Sequence, residues 1–377
     1  MKKVIVVGLG IVGAVTSYEL ARRGVQVVMV DSQEKGRSTY AAAGMLNPWT
    51  TRRRNKAWFK LAAAGAKRYD EMIQNLKADG ETDVGFAKVG VLHLFEDEAK
   101  LDELAGLILK RREAEKAHDV IGEVERLDIE EAYERFPYTD KRFKGLFISG
   151  IARVDGHKLT ESLINAAKKH HAERIDGKAE LIVENRSTKG VIVNGTNIFA
   201  DAVILTNGIW MPETVKKLGI QLPVTIKKGE IVHLKTDVAT DSMPIVIPPS
   251  HKYILPFQHG KLIVGTTFQR VDYSDKSINP GAQGIHDILG RFLEAAPKLA
   301  HAKLLDIRTG FRPYTPNSLP LFGPLPGVEN LYAANGLGAS GFSTGPMIGF
   351  KLAKLLTNEP LDVNIDDYAF AKIIADQ

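Results

Sequence analysis

The first 31 residues constrain the fold more than any other part of the chain. A run of β-branched residues, 4–7, leads into Gly-Leu-Gly-Ile-Val-Gly at 8–13, and an apolar helical stretch then continues to Gly24. A second run rich in valine, 25–30, ends in Asp31. A G-x-G-x-x-G turn between a strand and a helix, with an acidic residue after the next strand, is the fingerprint of a dinucleotide-binding βαβ unit. The chain is therefore expected to open with a Rossmann-like domain.

Each position of this fingerprint has a physical task. Gly8 permits the tight turn, Gly10 lets a diphosphate approach the backbone, and Gly13 lets the helix pack closely on the strand. The diphosphate binds at the helix N-terminus, where free N–H groups and the helix dipole favour negative charge. Asp31 can accept hydrogen bonds from ribose hydroxyl groups and disfavours the 2′-phosphate of NADP. The fingerprint alone leaves NAD and FAD both open.

The composition excludes several classes of protein. The 377 residues include no cysteine, which rules out disulfides, thiolate-bound metals and cysteine-linked cofactors. At roughly 100–200 residues per domain, the length predicts two or three domains. A net charge of +5 is small for this length, so no nucleic-acid partner is expected, and small anionic ligands are favoured. No targeting signal and no membrane segment is read, and a cytoplasmic location is expected.

Two further segments have the composition of ligand-binding turns. The segment 36–46 is small and polar and then apolar, and it is too rich in glycine and alanine to be explained by packing alone. Hydroxyl groups of Ser38 and Thr39 could reach a diphosphate there, and the thin backbone after them could lie against a flat ring. A second glycine-rich turn, 335–341, follows a strand and precedes a helix. A helix N-terminus at that point suits an electron-rich group such as the pyrimidine end of a flavin.

With these motifs in order, the chain resembles the D-amino-acid oxidase superfamily of FAD enzymes, and within it the glycine oxidase and D-amino-acid dehydrogenase group. Four segments carry the resemblance: the N-terminal fingerprint, STYAAAGML at 38–46, ADAVILTNGIW at 200–210, and the stretch 308–346. Their order and spacing extend over essentially the whole chain. The resemblance implies an α/β fold, α+β overall, in which a Rossmann-like FAD-binding domain is interleaved with an antiparallel-sheet substrate domain.

The distribution of strand and helix signals predicts the domain boundaries. Residues 1–78, 145–215 and 305–377 have alternating α/β character and are assigned to the FAD-binding domain. Residues 79–144 and 216–304 contain most of the alternating strand patterns and are assigned to the substrate-binding domain.

The resemblance also implies which residues hold FAD. The fingerprint would bind the ADP half, the strand near Glu180 would meet the adenine, and the last glycine-rich turn would close over the pyrimidine end. The implied cofactor-binding residues are Gly8, Gly10, Ile11, Val12, Gly13, Asp31, Ser32, Ser38, Thr39, Ala42, Ala43, Gly44, Met45, Glu180, Asn207, Gly208, Trp210, Arg312, Gly338, Ala339, Ser340, Gly341, Phe342, Ser343 and Thr344. With no cysteine and no histidine near residues 38–45, the FAD is expected to be non-covalent. No histidine pair has the spacing of a zinc motif, so no metal is expected.

Three residues are the implied catalytic set. Arg312 matches the family arginine that binds the substrate carboxylate, and a guanidinium can hold a carboxylate with two parallel hydrogen bonds. His251 and Tyr253 begin a predicted hairpin and share one face of its strand. The resemblance places Tyr253 near the substrate carboxylate and His251 near the amine. The basic run at 52–54 is either a solvated loop or a wall of an anion entry path.

The expected activity is FAD-dependent oxidative deamination of glycine, sarcosine or a D-amino acid. Hydride transfer from Cα to flavin N5 would be followed by hydrolysis to a 2-oxo acid, so the protein needs to position the substrate more than to supply acid–base groups. The expected partners are a small carboxylate-bearing amine and, as acceptor, O2 or a quinone or other electron carrier; oligomers are compatible with the sequence. Two alternatives stay open: oxidation of a 2-hydroxy acid, and a nucleotide-binding module without redox turnover.

Overall fold

The computed structural model describes residues 2–250 and 252–374. The strands are β1 (Lys3–Val7), β2 (Gln26–Asp31), β3 (Met45–Leu46), β4 (Phe86–Lys88), β5 (Val91–Phe95), β6 (Val124–Leu127), β7 (Lys144–Ile148), β8 (Ala152–Val154), β9 (Glu173–Asp176), β10 (Ala179–Glu184), β11 (Ser187–Val193), β12 (Thr196–Phe199), β13 (Ala202–Leu205), β14 (Thr225–Lys235), β15 (Ile245–Ile247), β16 (Tyr253–Pro256), β17 (Lys261–Gly265), β18 (Gln269–Val271), β19 (Lys303–Tyr314), β20 (Leu321–Pro324) and β21 (Leu331–Asn335). The helices are α1 (Ile11–Arg22), α2 (Lys56–Ala78), α3 (Glu98–Ala114), α4 (His118–Ile121), α5 (Ile129–Arg135), α6 (Gly156–Lys169), α7 (Met211–Lys216), α8 (Ala282–Ala295) and α9 (Gly341–Leu356). Over these described ranges, no helix is long and apolar enough to cross a bilayer.

A six-stranded sheet with the order β20-β21-β13-β1-β2-β9 contains the N-terminal fingerprint. Its strands run parallel except for the β20–β21 pair. Val4 and Val6 pack with α1, α6 and α9 on one face, whereas Ile5 and Val7 pack with β11 and α7 on the other. Burial on both faces explains the unbroken β-branched run of β1. The predicted α/β fold class is confirmed.

A nine-stranded sheet forms the second large layer. Its path is β18-β14-β17-β16-β15-β5-β7-β6, and β19 pairs along the other edge of β14. Every pairing is antiparallel except that of β5 with β15. The predicted boundaries assign residues from 145 and from 305 to the FAD-binding domain, yet β7 and β19 lie in this sheet because they pair with β5, β6 and β14. The division into domains stays a prediction. These pairings place β7 and β19 in the antiparallel sheet, although the predicted boundaries at 145 and 305 assign them to the FAD-binding domain.

A small sheet fixes the alanine-rich segment between the two large sheets. Met45 pairs with Arg153 in β8, and the N–H of Val154 donates to the carbonyl of Gly44 at 2.9 Å. Gly44 has a φ of +91°, and a Cβ placed on it would lie 1.8 Å from the carbonyl oxygen of Val154. Only glycine therefore allows this segment to approach β8 so closely.

The start of α9 is held by α2. The indole N–H of Trp58 donates to the Ser340 hydroxyl at 3.0 Å, and the Tyr69 hydroxyl donates to the carbonyl of Phe342 at 3.0 Å. A Cβ on Gly65 would lie 1.9 Å from the carbonyl oxygen of Ser343, so α2 approaches α9 with no room for a side chain. These contacts position the turn that was predicted to face the flavin.

We predict that Gly65→Ala lowers the free energy of unfolding by about 1–3 kcal/mol, because the added methyl group must displace the backbone of α9. The matched control is Gly106→Ala in α3, where a Cβ would meet no other atom within 4 Å. That change should raise the free energy of unfolding by about 0.5–1 kcal/mol, because alanine favours helix interiors. Urea unfolding of both variants is the measurement, and equal shifts in the same direction would contradict the packing argument.

Candidate active site

Three adjoining cavities form one channel along the carboxyl edge of the six-stranded sheet. Their volumes are about 1170, 500 and 990 Å³, and we call them the wide, middle and far cavities. The wide and middle cavities share the lining residues Gly10 and Thr39, and the middle and far cavities share Gly8 and Asn207. In an open α/β sheet, ligands bind outside the carboxyl ends of the strands, where the strand order reverses. Here that reversal falls at β1, beside the glycine turn.

The three fingerprint glycines have separate tasks in the structure. Gly8 adopts a φ of +94° and contacts Asn207, whose Cα would lie 2.7 Å from a Cβ at position 8. Gly10 caps the N-terminus of α1 and lines the wide and middle cavities. Gly13 lies outside the channel, and a Cβ on it would lie 1.9 Å from the carbonyl oxygen of Gly8. It allows α1 to close onto the turn, as the sequence pattern indicates.

The Asp31 carboxylate is buried at the wall of the middle cavity. One oxygen accepts from the N–H of Leu9 at 2.5 Å and the other from the N–H of Gln33 at 2.6 Å. Each carboxylate oxygen has a second lone pair, so capacity for ribose hydroxyl groups remains. Asp31 thus also fixes the glycine turn itself, a role that the sequence pattern does not show.

Arg37 is a channel residue that the sequence analysis missed. Its guanidinium lies 3.5 Å from the Asp31 carboxylate, and it lines the middle cavity together with Ser38 and Thr39. A cation here would offset the charge of a diphosphate. The only available signal was one basic residue within a segment rich in glycine and alanine.

The segment after Arg37 connects the glycine turn to the wide cavity. The Thr39 hydroxyl accepts from the N–H of Ile11 at 3.1 Å, and the Ser38 hydroxyl donates to the carbonyl of Phe311. Most of the predicted cofactor residues meet in the wide cavity: Gly10, Ile11, Val12, Ser38, Thr39, Ala42, Ala43, Gly44, Met45, Gly208, Arg312, Gly338, Ala339, Gly341, Phe342 and Ser343. The first turn of α9 therefore faces this cavity.

The remaining predicted residues divide into two groups. Ser32, Asn207 and Trp210 line the middle and far cavities, and Glu180 lines the far cavity while its carboxylate pairs with Lys217 at 3.2 Å.

Ser340 and Thr344 do not line the channel, because their hydroxyl groups serve the start of α9. The Ser340 hydroxyl donates to the carbonyl of Leu337 at 2.7 Å, and the Thr344 hydroxyl donates to the carbonyl of Ser340 at 3.0 Å. Their contribution is to the geometry of the turn.

Arg312 lies half-buried at the wall of the wide cavity. Its guanidinium donates to the Thr266 hydroxyl at 2.9 Å and to the carbonyl of Thr267 at 3.3 Å. The side chain lies against Gly229, where a Cβ would approach the guanidinium to 2.4 Å. Among the described residues, no carboxylate lies within 4.0 Å of it. The guanidinium thus has hydrogen-bonded neighbours but no directly paired counter-charge from the described residues.

Tyr253 lines the same cavity as Arg312. Burial raises the pKa of its phenol, and the charge of Arg312 only partly opposes this effect, so the hydroxyl stays protonated and can donate a hydrogen bond at neutral pH. His251, the third predicted catalytic residue, lies outside the described residues. Within the described ranges, no group of three His, Asp or Glu side chains is arranged to hold a metal ion.

The channel fits FAD. The far and middle cavities have glycine turns, a buried carboxylate and a helix N-terminus, which suit the ADP half. The wide cavity has walls of thin alanine and glycine backbone and receives the N-terminal turn of α9, which suits an isoalloxazine ring whose pyrimidine end accepts negative charge.

Comparisons with known proteins agree with this geometry. Residues 3–355 match the DAO family model, described as FAD dependent oxidoreductase. An uncharacterized oxidoreductase, YurR of Bacillus subtilis, is 42% identical over 376 residues and covers 100% of both chains. Glycine oxidase of Pseudomonas putida is 30% identical over 370 residues, covering 96% of each chain. The crystal structure of iminodiacetate oxidase (IdaA) from Chelativorans sp. BNC1 matches with a TM-score of 0.91 at 36% identity, over 97% of this chain and 98% of that one.

These matches cover the whole channel and both large sheets, so they confirm the predicted resemblance and the FAD cofactor. The chain belongs to the DAO family of FAD-dependent oxidoreductases.

Proposed function

We propose that this protein oxidises the Cα–N bond of a small amino acid, such as glycine, sarcosine or a D-amino acid, and releases a 2-oxo acid. The observation that carries the proposal is the Arg312 guanidinium, which faces the wide cavity and has no carboxylate partner among the described residues. A substrate carboxylate is the group that such a guanidinium binds best. Glycine oxidase and iminodiacetate oxidase, two of the similar proteins, are named for amines that carry carboxylates.

The residues of the site position a substrate rather than exchange protons with it. FAD, when bound, supplies the two-electron acceptor for the Cα–H bond. Arg312 would hold the carboxylate with two hydrogen bonds, and the protonated Tyr253 hydroxyl would donate a third. The described lining of the wide cavity contains no Asp, Glu, His or Lys, which favours a substrate whose amine enters as the free base. The apolar walls exclude bulk water from the reacting carbon.

This proposal is tested by anaerobic reduction of the purified holoenzyme. The loss of visible flavin absorption measures the reduction. Glycine, sarcosine, D-alanine and D-proline are added separately, with L-lactate and D-lactate as the 2-hydroxy acids. We expect at least one amine to bleach the flavin and neither hydroxy acid to do so. Bleaching by lactate alone would replace the proposal with hydroxy-acid oxidation. Hydrogen peroxide formed on admission of air shows whether O2 is the acceptor.

We predict that Arg312→Ala lowers kcat/KM for the amine substrate by about 30-fold or more, because truncating one partner of a desolvated charge pair costs about 2–5 kcal/mol. Arg126→Ala is the control, since Arg126 forms an exposed pair with Asp102 at 2.8 Å, remote from the lining of the channel. Steady-state kinetics of both variants, each loaded with FAD, measure the effect. Unchanged turnover in the Arg312 variant would show that another group binds the carboxylate.

We predict that FAD leaves the chain completely on acid or heat denaturation. The chain has no cysteine, and none of the residues described as lining the three cavities is a histidine, so neither a thiolate nor a described imidazole is positioned to attach to the ring. After the protein is precipitated and centrifuged, all of the yellow colour should remain in the supernatant. Colour retained in the washed pellet would demonstrate a covalent link.

A further inference from the structure

Three positive residues occupy directly paired positions across three neighbouring strands beside the site. Lys227 in β14 pairs with Arg270 in β18 on one side and with Arg312 in β19 on the other. Directly paired residues in an antiparallel sheet share a face, and like charges in that arrangement destabilise the sheet. No carboxylate of the described residues lies within 4.0 Å of any of the three. The sheet thus retains an unfavourable arrangement of charge that no described carboxylate neutralises by direct pairing.

Aromatic rings hold the ammonium of Lys227 just outside the wide cavity, beside Arg312 and Gly338, which line it, and we call this place the rim. Its Nζ lies 4.5 Å from the ring centres of both Phe268 and Tyr314. The guanidinium carbon of Arg312 lies 5.5 Å from the centre of the same Phe268 ring. Tyr314 in turn contacts Gly338, which lines the cavity, since a Cβ there would lie 2.5 Å from the tyrosine ring. Lys227 is therefore a neighbour of the proposed carboxylate site.

Arg53, from the basic run at 52–54, adds a fourth positive charge near Tyr314. Its guanidinium lies 4.6 Å from the ring centre of Trp58, the residue whose indole donates to Ser340. Ser340 lies two residues after Gly338, against which Tyr314 packs, so Arg53 and Tyr314 both lie beside the turn that precedes α9. No carboxylate of the described part of the chain lies within 4.0 Å of Arg53.

Other lysines nearby, unlike Lys227, have carboxylate partners. Lys228, the next residue of β14, has the Glu230 carboxylate at 3.7 Å, and Lys276 forms an ion pair with Glu213. Cation–π contacts stabilise Lys227 and Arg53 in place, but a ring face cannot cancel a net charge. The uncompensated charge is thus concentrated where the rim of the wide cavity meets Tyr314 and Phe268.

Resting on the proposed function, we propose that the substrate carries a second anionic group, which Lys227 and Arg53 bind at this rim while Arg312 binds the carboxylate beside the reacting carbon. The substrate class is then an amine with two carboxylates. Iminodiacetate, with one carboxylate on each side of the nitrogen, is a small member of this class, and it appears in the name of a similar solved protein.

The oxidation of such a substrate balances with the groups already named. The Cα–H bond breaks with both electrons passing to FAD, the nitrogen loses its proton, and a C=N bond forms. Water then adds to that bond, so iminodiacetate would give glyoxylate and glycine. O2 or another electron acceptor takes the two electrons from the reduced enzyme.

The experiment compares iminodiacetate with N-(2-hydroxyethyl)glycine, which replaces the second carboxylate with a neutral hydroxymethyl group. The ratio of the two kcat/KM values in the holoenzyme measures the preference for the second charge. In the wild-type enzyme we expect a preference of about tenfold or more for iminodiacetate. In Lys227→Met this preference should fall about tenfold, because a charge contact at a partly buried site is lost. Arg53→Gln should lower the same ratio, whereas Lys235→Met, on the same strand but at its far end, should retain it. Added salt should also lower the wild-type ratio by screening.

The outcomes separate this inference from the proposed function. A wild-type enzyme that oxidises N-(2-hydroxyethyl)glycine as well as iminodiacetate overturns the second anion site while amine oxidation stands. A ratio unaffected by Lys227→Met, Arg53→Gln and salt does the same. If neither these amines nor those of the anaerobic panel reduce the flavin, the proposed function fails and this inference fails with it. The salt dependence needs only the wild-type protein, so the test does not depend on the stability of the variants.

Discussion

The close approach of α1 to the end of β1 is the contact on which the rest of the structure depends. Gly13 lies so near the carbonyl of Gly8 and the hydroxyl of Thr206 that no side chain fits there. This contact directs the N-terminus of α1 at the carboxyl edge of the sheet, where β1, β2 and β13 end together. Asp31 then fixes the same turn through the N–H of Leu9. The channel exists because one helix, three strand ends and one carboxylate meet at this point.

The two ends of the channel are built on different physical principles. The ADP end uses backbone N–H groups and a helix dipole, which need only a short local pattern of glycines. The end at Arg312, where we propose that the substrate binds, uses side chains from several distant segments, held by the long antiparallel pairing of β14 with β19. Gly229 leaves room for the Arg312 guanidinium, and Thr266 orients it by accepting a hydrogen bond. The cofactor end therefore has a local sequence signature, whereas the substrate end depends on the register of the sheet.

This difference explains which residues could be predicted. The fingerprint, the segment after Ser38 and the glycine turn before α9 were all found from spacing and resemblance, and most of them line the channel. Ser340 and Thr344 are in the predicted turn, but their hydroxyl groups stabilise the helix start, a detail that depends on side-chain direction. Arg37 was missed because a single arginine in a small-residue segment has no pattern of its own. The assignment of β7 and β19 to the nine-stranded sheet was missed because strand pairing is non-local.

The sequence by itself determined the nucleotide-binding unit and the absence of any thiol chemistry. Each follows from residues close together in the chain or from composition, because turn geometry and helix capping are local properties. Only the tertiary structure decided which charges meet. Lys227, Arg270 and Arg312 are far apart in the chain, and they become neighbours through two strand registers. Arg53 comes from the segment before α2 and packs on Trp58, because charge proximity is set by position in space and not by order in the chain.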